Sequence, residues 1–468
     1  MATVRDSWRD NGAWRNLAIG AGALALGALG GVAAAATNPL IPFALLLAVL
    51  PLPWLLTRPQ VDLALAVGVI IILPFGTLPL KIGFTPTLLE LALLLLAGVG
   101  LFAQARAADS HWRGLVRTPL DGWVLLFLGV ISFAFVLGLA RDASTEIIHN
   151  YVKLLLAITF FFTAGQVLRT PAAVLTLVRV IVGAGGLAAL VGLVLWRLPQ
   201  ATAERLLLLL RPLGYPTSGV LRFVEDGPGL GQERAIGTSV DPNSFAGLLV
   251  VLFALTLTQL LGRRPLFPRP LLGGILLTQT AALLLTQSRT AWVAAAMAAG
   301  VVGALRYRKF AVAGLIAVTL LLASGLGGAY VARFVSGVQL QDQAQVMRLN
   351  EFQNAGAVIA RYPFFGVGFG TAGELDLTTG VSSLYLTITE RTGLLGMGVF
   401  AVTVGLFLVL LAPWLRARPG LSDTAAALDA TLLGTVAAVM AVLVVGLADH
   451  YYFNIEQPHL AALFWLCL

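Results

Sequence analysis

Charged residues are scarce in this sequence. Asp, Glu, Lys and Arg together make up 11% of its 468 residues, whereas apolar residues make up 58%. A soluble protein of ordinary composition carries roughly a quarter charged residues. Together with a mean hydropathy of +0.90, this shortage excludes a soluble globular protein. It predicts an all-α polytopic membrane protein, because helices satisfy their own backbone hydrogen bonds in hydrocarbon.

Cysteine, metal-ligand motifs and internal repeats are also nearly or wholly lacking. Cys467 is the single cysteine, which excludes a disulfide framework and a thiolate metal site. No spacing fits a His-Glu-x-x-His motif or a paired Asp motif, so we predict neither a metal nor another cofactor. The lack of a clear internal repeat argues against a transporter built from inverted repeats.

Long apolar runs fill most of the chain. Runs of about 20 residues are long enough to cross hydrocarbon, and they predict a single transmembrane domain over residues 1–468 with about 12 to 14 transmembrane helices. The predicted spans are 16–36, 39–57, 61–80, 86–105, 119–140, 147–168, 173–196, 243–262, 270–287, 290–305, 310–331, 384–412, 427–447 and 455–468.

The basic residues between these spans predict the topology. The formal charge of +8 reports on membrane orientation in such a protein and does not indicate a nucleic-acid partner. With alternating spans, the basic segments all fall on one side, which places the N-terminus in the cytoplasm. These segments contain Arg5, Arg9, Arg15, Arg106, Arg113, Arg117, Arg263, Arg264, Arg269, Arg306, Arg308, Lys309, Arg416 and Arg418.

Two long connections, 197–242 and 332–383, then lie on the outer side. Residues 202–213 predict a short interfacial helix in the first of them. Residues 345–361 predict an amphipathic helix in the second, with Arg348 on a different stripe from the apolar positions. The glycines of "GVGFG", residues 366–370, follow no strand, so a tight turn is favoured over a nucleotide-binding loop.

One arginine interrupts the stretch "LLLTQSRTAWVAA", residues 283–295, with almost no loop around it. A permanently charged guanidinium at the edge of hydrocarbon is costly unless an anion meets it. Arg289 shares the outer side with Arg234 and Arg348, and three converging arginines could clamp a diphosphate through forked hydrogen bonds. Alternatively, each arginine extends to lipid head groups or pairs with a nearby acid.

Two titratable residues are candidates for activating an acceptor. His450 lies between Asp449 and two tyrosines on the predicted outer side and is the best-placed general base. Glu390 lies one to two turns into a predicted span, where it either serves the acceptor or pairs with an arginine such as Arg391.

Four motifs, taken in order, resemble the O-antigen ligase and O-antigen polymerase superfamily. They are "RAIGTSVDPNSFAG", "TQSRTAWVAA", "RLNEFQNAGAVIARYPFFGVGFG" and "SSLYLTITERTGLLG", within residues 230–400. The resemblance implies a GT-C-like glycosyltransferase in the cytoplasmic (inner) membrane, with its active site facing the periplasm or outside. The implied donor is a glycan on a polyprenyl diphosphate, transferred with inversion and without a metal ion.

The resemblance also implies roles for particular residues. Arg289 and Arg234 match the arginines implicated in engaging the diphosphate, and the acceptor is a glycan, a lipid-A core or a protein. Ligases of the family carry a His-Asn pair where this chain has Ser382 and Ser383. We therefore expect a polymerase slightly more than a lipid-A-core ligase.

Two other classes of function compete with this interpretation. A membrane transporter or flippase for an anionic lipid-linked sugar would also use many spans and outer arginines, but should place functional charges near the bilayer midplane. A structural subunit of an envelope assembly would leave the outer arginines unexplained.

Overall fold

The computed structural model describes residues 55, 57–78, 84–106, 115–140, 143–216, 219–225, 229–324, 328–339, 343–369, 381–416, 422–455 and 457–468. The predicted span 16–36 and nearly all of 39–57 lie outside these residues, as do His111, Arg113 and Gly370. The helices are α1 Pro59–Ile72, α2 Leu88–Arg106, α3 Asp121–Leu139, α4 Thr145–Val167, α5 Pro171–Arg197, α6 Gln200–Leu208, α7 Pro242–Leu261, α8 Arg269–Leu285, α9 Arg289–Leu305, α10 Arg308–Ala323, α11 Gly328–Val338, α12 Gln343–Arg361, α13 Leu384–Arg416, α14 Asp423–Val445 and α15 Pro458–Cys467.

The prediction of an all-α polytopic membrane protein is confirmed. Within the described residues, six helices are long and apolar enough to cross a membrane, namely α3, α4, α5, α7, α13 and α14. Five further apolar helices are shorter. The described strands form one two-stranded antiparallel sheet, β1 Arg222–Phe223 and β2 Glu233–Arg234.

Helix ends follow local sequence signals. Prolines occupy the first turn of α1, α5, α7, α8 and α15, where a missing N–H costs nothing. Side chains of Ser144, Thr170, Asp241 and Ser422 accept backbone N–H groups at the starts of α4, α5, α7 and α14.

Helix α7 lies at the centre of the molecule. Of its apolar stretch, 83% is buried, and it packs against α5, α8, α9 and α14. A few polar contacts link these apolar surfaces, including a hydrogen bond from Gln259 Nε2 to Thr431 Oγ1 at 3.2 Å. Such a core positions both ends of α7, and its N-terminal end carries the candidate site.

Among the described residues, three of the basic connections predicted to share one side lie together, those at 263–269, 306–309 and 413–426. Arg264 pairs with Asp423 at 2.6 Å, and Arg306 both pairs with Asp429 at 3.5 Å and donates to the Leu415 carbonyl. Arg289 and Arg306 lie at opposite ends of α9, about 25 Å apart along its axis. The arginines of the candidate site are therefore separated from this basic end.

Two segments in and beside the second connection differ from the sequence prediction. The predicted span 310–331 is divided between α10 and α11, so the second connection begins with a separate amphipathic helix. The predicted helix 345–361 is present as α12, but its apolar positions Val346 and Leu349 are exposed while Ala355 and Val358 are buried. The stripe that carries Arg348 faces the protein, because Arg348 joins the polar site described below.

Candidate active site

A cavity of about 410 Å³ lies where five segments meet. Its walls come from the β1–β2 hairpin, the start of α7, the start of α9, and the inner faces of α11 and α12. Five arginines line it, against two carboxylates: Arg222, Arg234, Arg289, Arg333, Arg348, Glu225 and Asp241. The lining therefore carries a formal excess of three positive charges, and it suits an anionic ligand.

The hairpin presents two of these arginines on one face. Arg222 on β1 lies directly opposite Arg234 on β2 in the antiparallel register, so both side chains project to the same side of the pair. Like charges opposite each other destabilise a hairpin. An anion between the two guanidinium groups would remove that cost.

Hydrogen bonds to neutral oxygens fix the Arg234 guanidinium. Its Nε donates to the Thr286 carbonyl at 2.8 Å, and its Nη2 donates to Asn243 Oδ1 at 2.6 Å. Neither acceptor cancels the positive charge. Burial lowers the pKa of Arg234, but a guanidinium remains charged at neutral pH.

Arg289 occupies the first position of α9. Its Nη1 donates to the Arg333 carbonyl at 3.1 Å, which ties α9 to α11. A cation at a helix N-terminus is unfavourable against the helix dipole, whereas an anion there is favoured. This placement therefore gains stability when an anion binds between Arg289 and the first turn of the helix.

Backbone strain borders the same cavity. Gln287, which lines the cavity, has a φ of 57°, and Val240, just before Asp241, has a φ of 58°. Positive φ is costly for residues other than glycine, above all for a β-branched one. Such residues concentrate at functional sites, where the surrounding structure holds them.

Residues in the segment before α15 contact polar side chains that line the cavity. Asp449 pairs with Arg348, with its Oδ1 3.4 Å from the Arg348 Nη2. Burial raises the pKa of Asp449 to about 7, while Arg348 and Arg234 lower it. The Tyr451 hydroxyl hydrogen-bonds with the side chains of Asn243 and Asp241.

The two candidate bases, His450 and Glu390, lie outside the lining of the cavity. Neither is among the cavity-lining residues in the described part of the chain. Burial lowers the pKa of His450, so its imidazole is neutral at pH 7, and it stacks on Tyr451 with ring centroids 5.4 Å apart. Glu390 is 2% exposed within α13, and its backbone carbonyl accepts from the Val367 amide at 2.9 Å.

The positions that depart from the ligase motif contact another acid. The Glu351 carboxylate on α12 accepts from the backbone N–H of Ser382 at 2.9 Å. Ser383 donates instead to the Gly446 carbonyl at 3.2 Å. The turn that replaces the His-Asn pair is thereby held to the same helix that carries Arg348.

The structure brings together the three predicted arginines and adds two. Arg234, Arg289 and Arg348 line one cavity with Arg222 and Arg333. Sequence reasoning missed Arg222 because the strands are only two residues long. It missed Arg333 because the residue lay in a predicted loop, although the apolar spacing around it was available as a signal of α11.

Comparison with known proteins finds one family model that matches part of the chain. The family model described as O-antigen ligase, Wzy_C, matches residues 274–401, from within α8 into α13. This match confirms the resemblance to the O-antigen ligase and polymerase superfamily, and it supports a glycosyltransferase-like enzyme of membrane glycan transfer. It includes Arg289, Arg333 and Arg348, whereas Arg222, Arg234 and His450 lie outside it. No curated protein matches the chain.

Proposed function

We propose that this protein transfers a glycan from a polyprenyl diphosphate carrier to an acceptor on the outer face of the cytoplasmic membrane. The observation that carries the proposal is the arginine-lined cavity, within and beside the matched domain. A diphosphate diester has two negative charges, which an excess of three positive charges would attract and hold. The outer location is supported by the separation of this cavity from the basic connections.

The reaction that fits the cavity is an inverting, metal-independent displacement. The acceptor oxygen attacks the anomeric carbon, and the bond from that carbon to the phosphate oxygen breaks. Its electron pair leaves with the polyprenyl diphosphate. Fixed guanidinium groups stabilise this growing charge in the transition state, which is the role a divalent metal ion plays in other transferases.

The proton of the acceptor hydroxyl needs a base. We retain His450 as the first candidate, because its neutral imidazole lies next to Asp449, the partner of a cavity arginine. Glu390 is the second candidate, from the buried part of α13. We expect His450→Ala to lower kcat by about a hundredfold without changing donor binding. Full activity in that variant would move the assignment to Glu390, tested with Glu390→Gln.

A polymerase is favoured over a lipid-A-core ligase, because Ser382 and Ser383 replace the His-Asn pair and are held by α12 and Gly446. Both types, and a protein-directed transferase, use the same donor. The protein in nanodiscs, given a polyprenyl-diphosphate-linked oligosaccharide as sole substrate, should produce a mass ladder of longer lipid-linked glycans.

The other outcomes of this assay separate the alternatives. Transfer only after addition of a lipid-A core or a protein acceptor would identify a ligase or a protein-directed enzyme. Binding without transfer to any acceptor, with movement of the lipid-linked sugar across the bilayer, would favour the transporter and refute the enzyme.

A further inference from the structure

Helix α11 is amphipathic, but its polar face is buried and its apolar face is exposed, which is the opposite of a surface helix in water. Its polar side chains Arg333 and Ser336 are each 8% exposed. Its apolar side chains Val331, Phe334 and Val335 are 41% to 43% exposed. In water the polar face of a helix is the one that points outward, so the outer face of α11 is built for an apolar environment.

Helix α12 repeats this arrangement. Arg348 faces the protein and pairs with Asp449, whereas Val346, Met347 and Leu349 are 46%, 57% and 45% exposed. Two successive helices therefore direct their arginines to the cavity and their apolar side chains away from it.

The two environments meet at particular residues. Met347 both lines the cavity and is 57% exposed. On α11, Tyr330 contacts Trp292 with ring centroids 5.2 Å apart, one turn after Arg289 on α9. A ligand in the cavity would therefore contact Met347 on the apolar face of α12. On α11, the apolar residues Phe334 and Val335 directly follow the cavity-lining Arg333.

We propose that these apolar faces bind the hydrocarbon chain of a lipid diphosphate whose head group lies in the cavity. The inference rests on the proposed function and assigns to it a chain-binding surface, formed by Val331, Phe334, Val335, Val346, Met347 and Leu349. The same two helices provide arginines for an anionic head group and an adjoining apolar surface, which an amphiphile with both parts matches. Bulk membrane lipid is the competing occupant.

The test compares two chain lengths in detergent micelles. Equilibrium dissociation constants are measured for geranyl diphosphate and for a long-chain polyprenyl diphosphate with the full-length protein. The wild type should bind the long chain more tightly. Phe334→Ala and Leu349→Ala should each weaken long-chain binding by about fivefold to tenfold and leave geranyl diphosphate binding unchanged.

The matched control is Leu277→Ala on α8, a leucine that is 71% exposed. It should leave both dissociation constants unchanged. An equal loss in this control would show a general lipid-facing surface and overturn the inference, as would unchanged long-chain binding in both α11 and α12 variants. If the wild type binds neither diphosphate, the proposed function itself fails.

A second readout does not depend on the folding of any variant. A polyprenyl diphosphate with a photoreactive diazirine on its chain should crosslink to residues 328–339 or 343–349 of the wild type. Excess unlabelled polyprenyl diphosphate should suppress that product. Crosslinks confined to other helices would place the chain elsewhere and contradict the proposal.

Discussion

Single arginines of the cavity differ in how they are held, and this difference determines what a substitution removes. Arg234 donates hydrogen bonds to two neutral oxygens, and Arg289 donates to the α11 backbone. Arg348 instead shares an ion pair with Asp449. Substitution of Arg289 therefore removes a positioned positive charge from the cavity. Substitution of Asp449 instead removes the ion-pair partner of Arg348, which leaves that arginine more available to an anion in the cavity.

Arg289→Ala should lower glycan transfer by about a hundredfold or more, because one positioned donor to a developing oxyanion is worth that much. Arg289→Lys should recover little, since an ammonium lacks the planar fork of a guanidinium. The measurement is initial rate with the lipid-linked donor. Arg308→Ala, at the opposite, basic end of the molecule, is the control and should retain the wild-type rate. Near-normal turnover in Arg289→Ala would contradict the proposal that Arg289 binds the diphosphate.

We expect Asp449 to make donor binding depend on pH. Because burial raises its pKa to about 7, Asp449 is ionised above that pH and pairs with Arg348. Below it, protonation weakens the pair and frees Arg348 for the diphosphate. Affinity for the lipid-linked donor should rise as pH falls from about 8 to about 6.

Asp449→Asn should bind the donor equally well across that pH window, since the variant side chain does not titrate. The diphosphate diester keeps its two charges there, and burial lowers the pKa of His450, which moves its titration towards the acid end of the window. A wild-type affinity that does not change with pH, or an unchanged slope in Asp449→Asn, would show that another group controls Arg348.

Among the structural elements, α13 contains a break that contacts the turn after α12, the helix that carries Arg348. Gly393 has a φ of 71° inside the helix. Its neighbours accept from the turn after α12: Val367 and Gly368 donate to the carbonyls of Glu390 and Arg391 at 2.9 Å. A Cβ on Gly393 would lie 2.1 Å from the Phe364 carbonyl oxygen.

Gly393→Ala should therefore destabilise the protein by more than about 2 kcal/mol, from positive φ and the backbone clash. It should also lower transfer, although Gly393 does not line the cavity. The measurement is thermal unfolding in detergent. Gly398→Ala is the control on the same helix, because a Cβ there meets open space; it should be neutral or stabilising. Equal melting temperatures for the two variants would contradict this account of the break.

A substitution in the β1–β2 hairpin should raise the stability of the protein and weaken its binding of the donor. Arg222→Gln removes one member of a like-charge pair, so the ligand-free protein should gain up to about 1 kcal/mol of stability. The same change removes a cavity cation and should weaken donor binding. Thermal unfolding without the donor, and a dissociation constant with it, provide the check. A loss of both stability and affinity would show that Arg222 has a structural partner instead.

Sequence periodicity predicted where the helices lie better than it predicted which face of each helix is buried. The long helices were predictable because 20-residue apolar runs and proline or Ser, Thr and Asp starts are local signals. The inward direction of Arg348 on α12 was not, because the apolar stripe that normally marks the buried face lies outward here. In a membrane, hydrophobicity alone does not distinguish protein-facing from lipid-facing positions.

The same limit applies to the site. Arg289 was predictable because it interrupts two apolar runs, and a motif supported Arg234. The convergence of Arg222 and Arg333 required the β1–β2 register and the path of α11, which are set by tertiary contacts. The placement of Asp449 behind Arg348 depends on residues 101 positions apart, which a single sequence does not reveal.

For the whole molecule, the distribution of charge predicts orientation. In a Cys467→Ser background, Gln232→Cys beside the hairpin should react with a membrane-impermeant maleimide added outside intact cells. Arg308→Cys at the basic end should react only after permeabilisation. Both side chains are exposed, so differences in reactivity report sidedness. The reverse labelling pattern would place the cavity in the cytoplasm and contradict the proposed localisation.

The central claim is that the five-arginine cavity holds the diphosphate of a lipid-linked glycan. An experimental structure of the full-length protein in nanodiscs with that donor bound tests it most directly. We predict phosphate density within hydrogen-bonding distance of Arg289 and Arg234, with the glycan directed towards the 449–451 segment. Phosphate density near the bilayer midplane, or bound away from these arginines, would contradict the claim and favour a transport pathway.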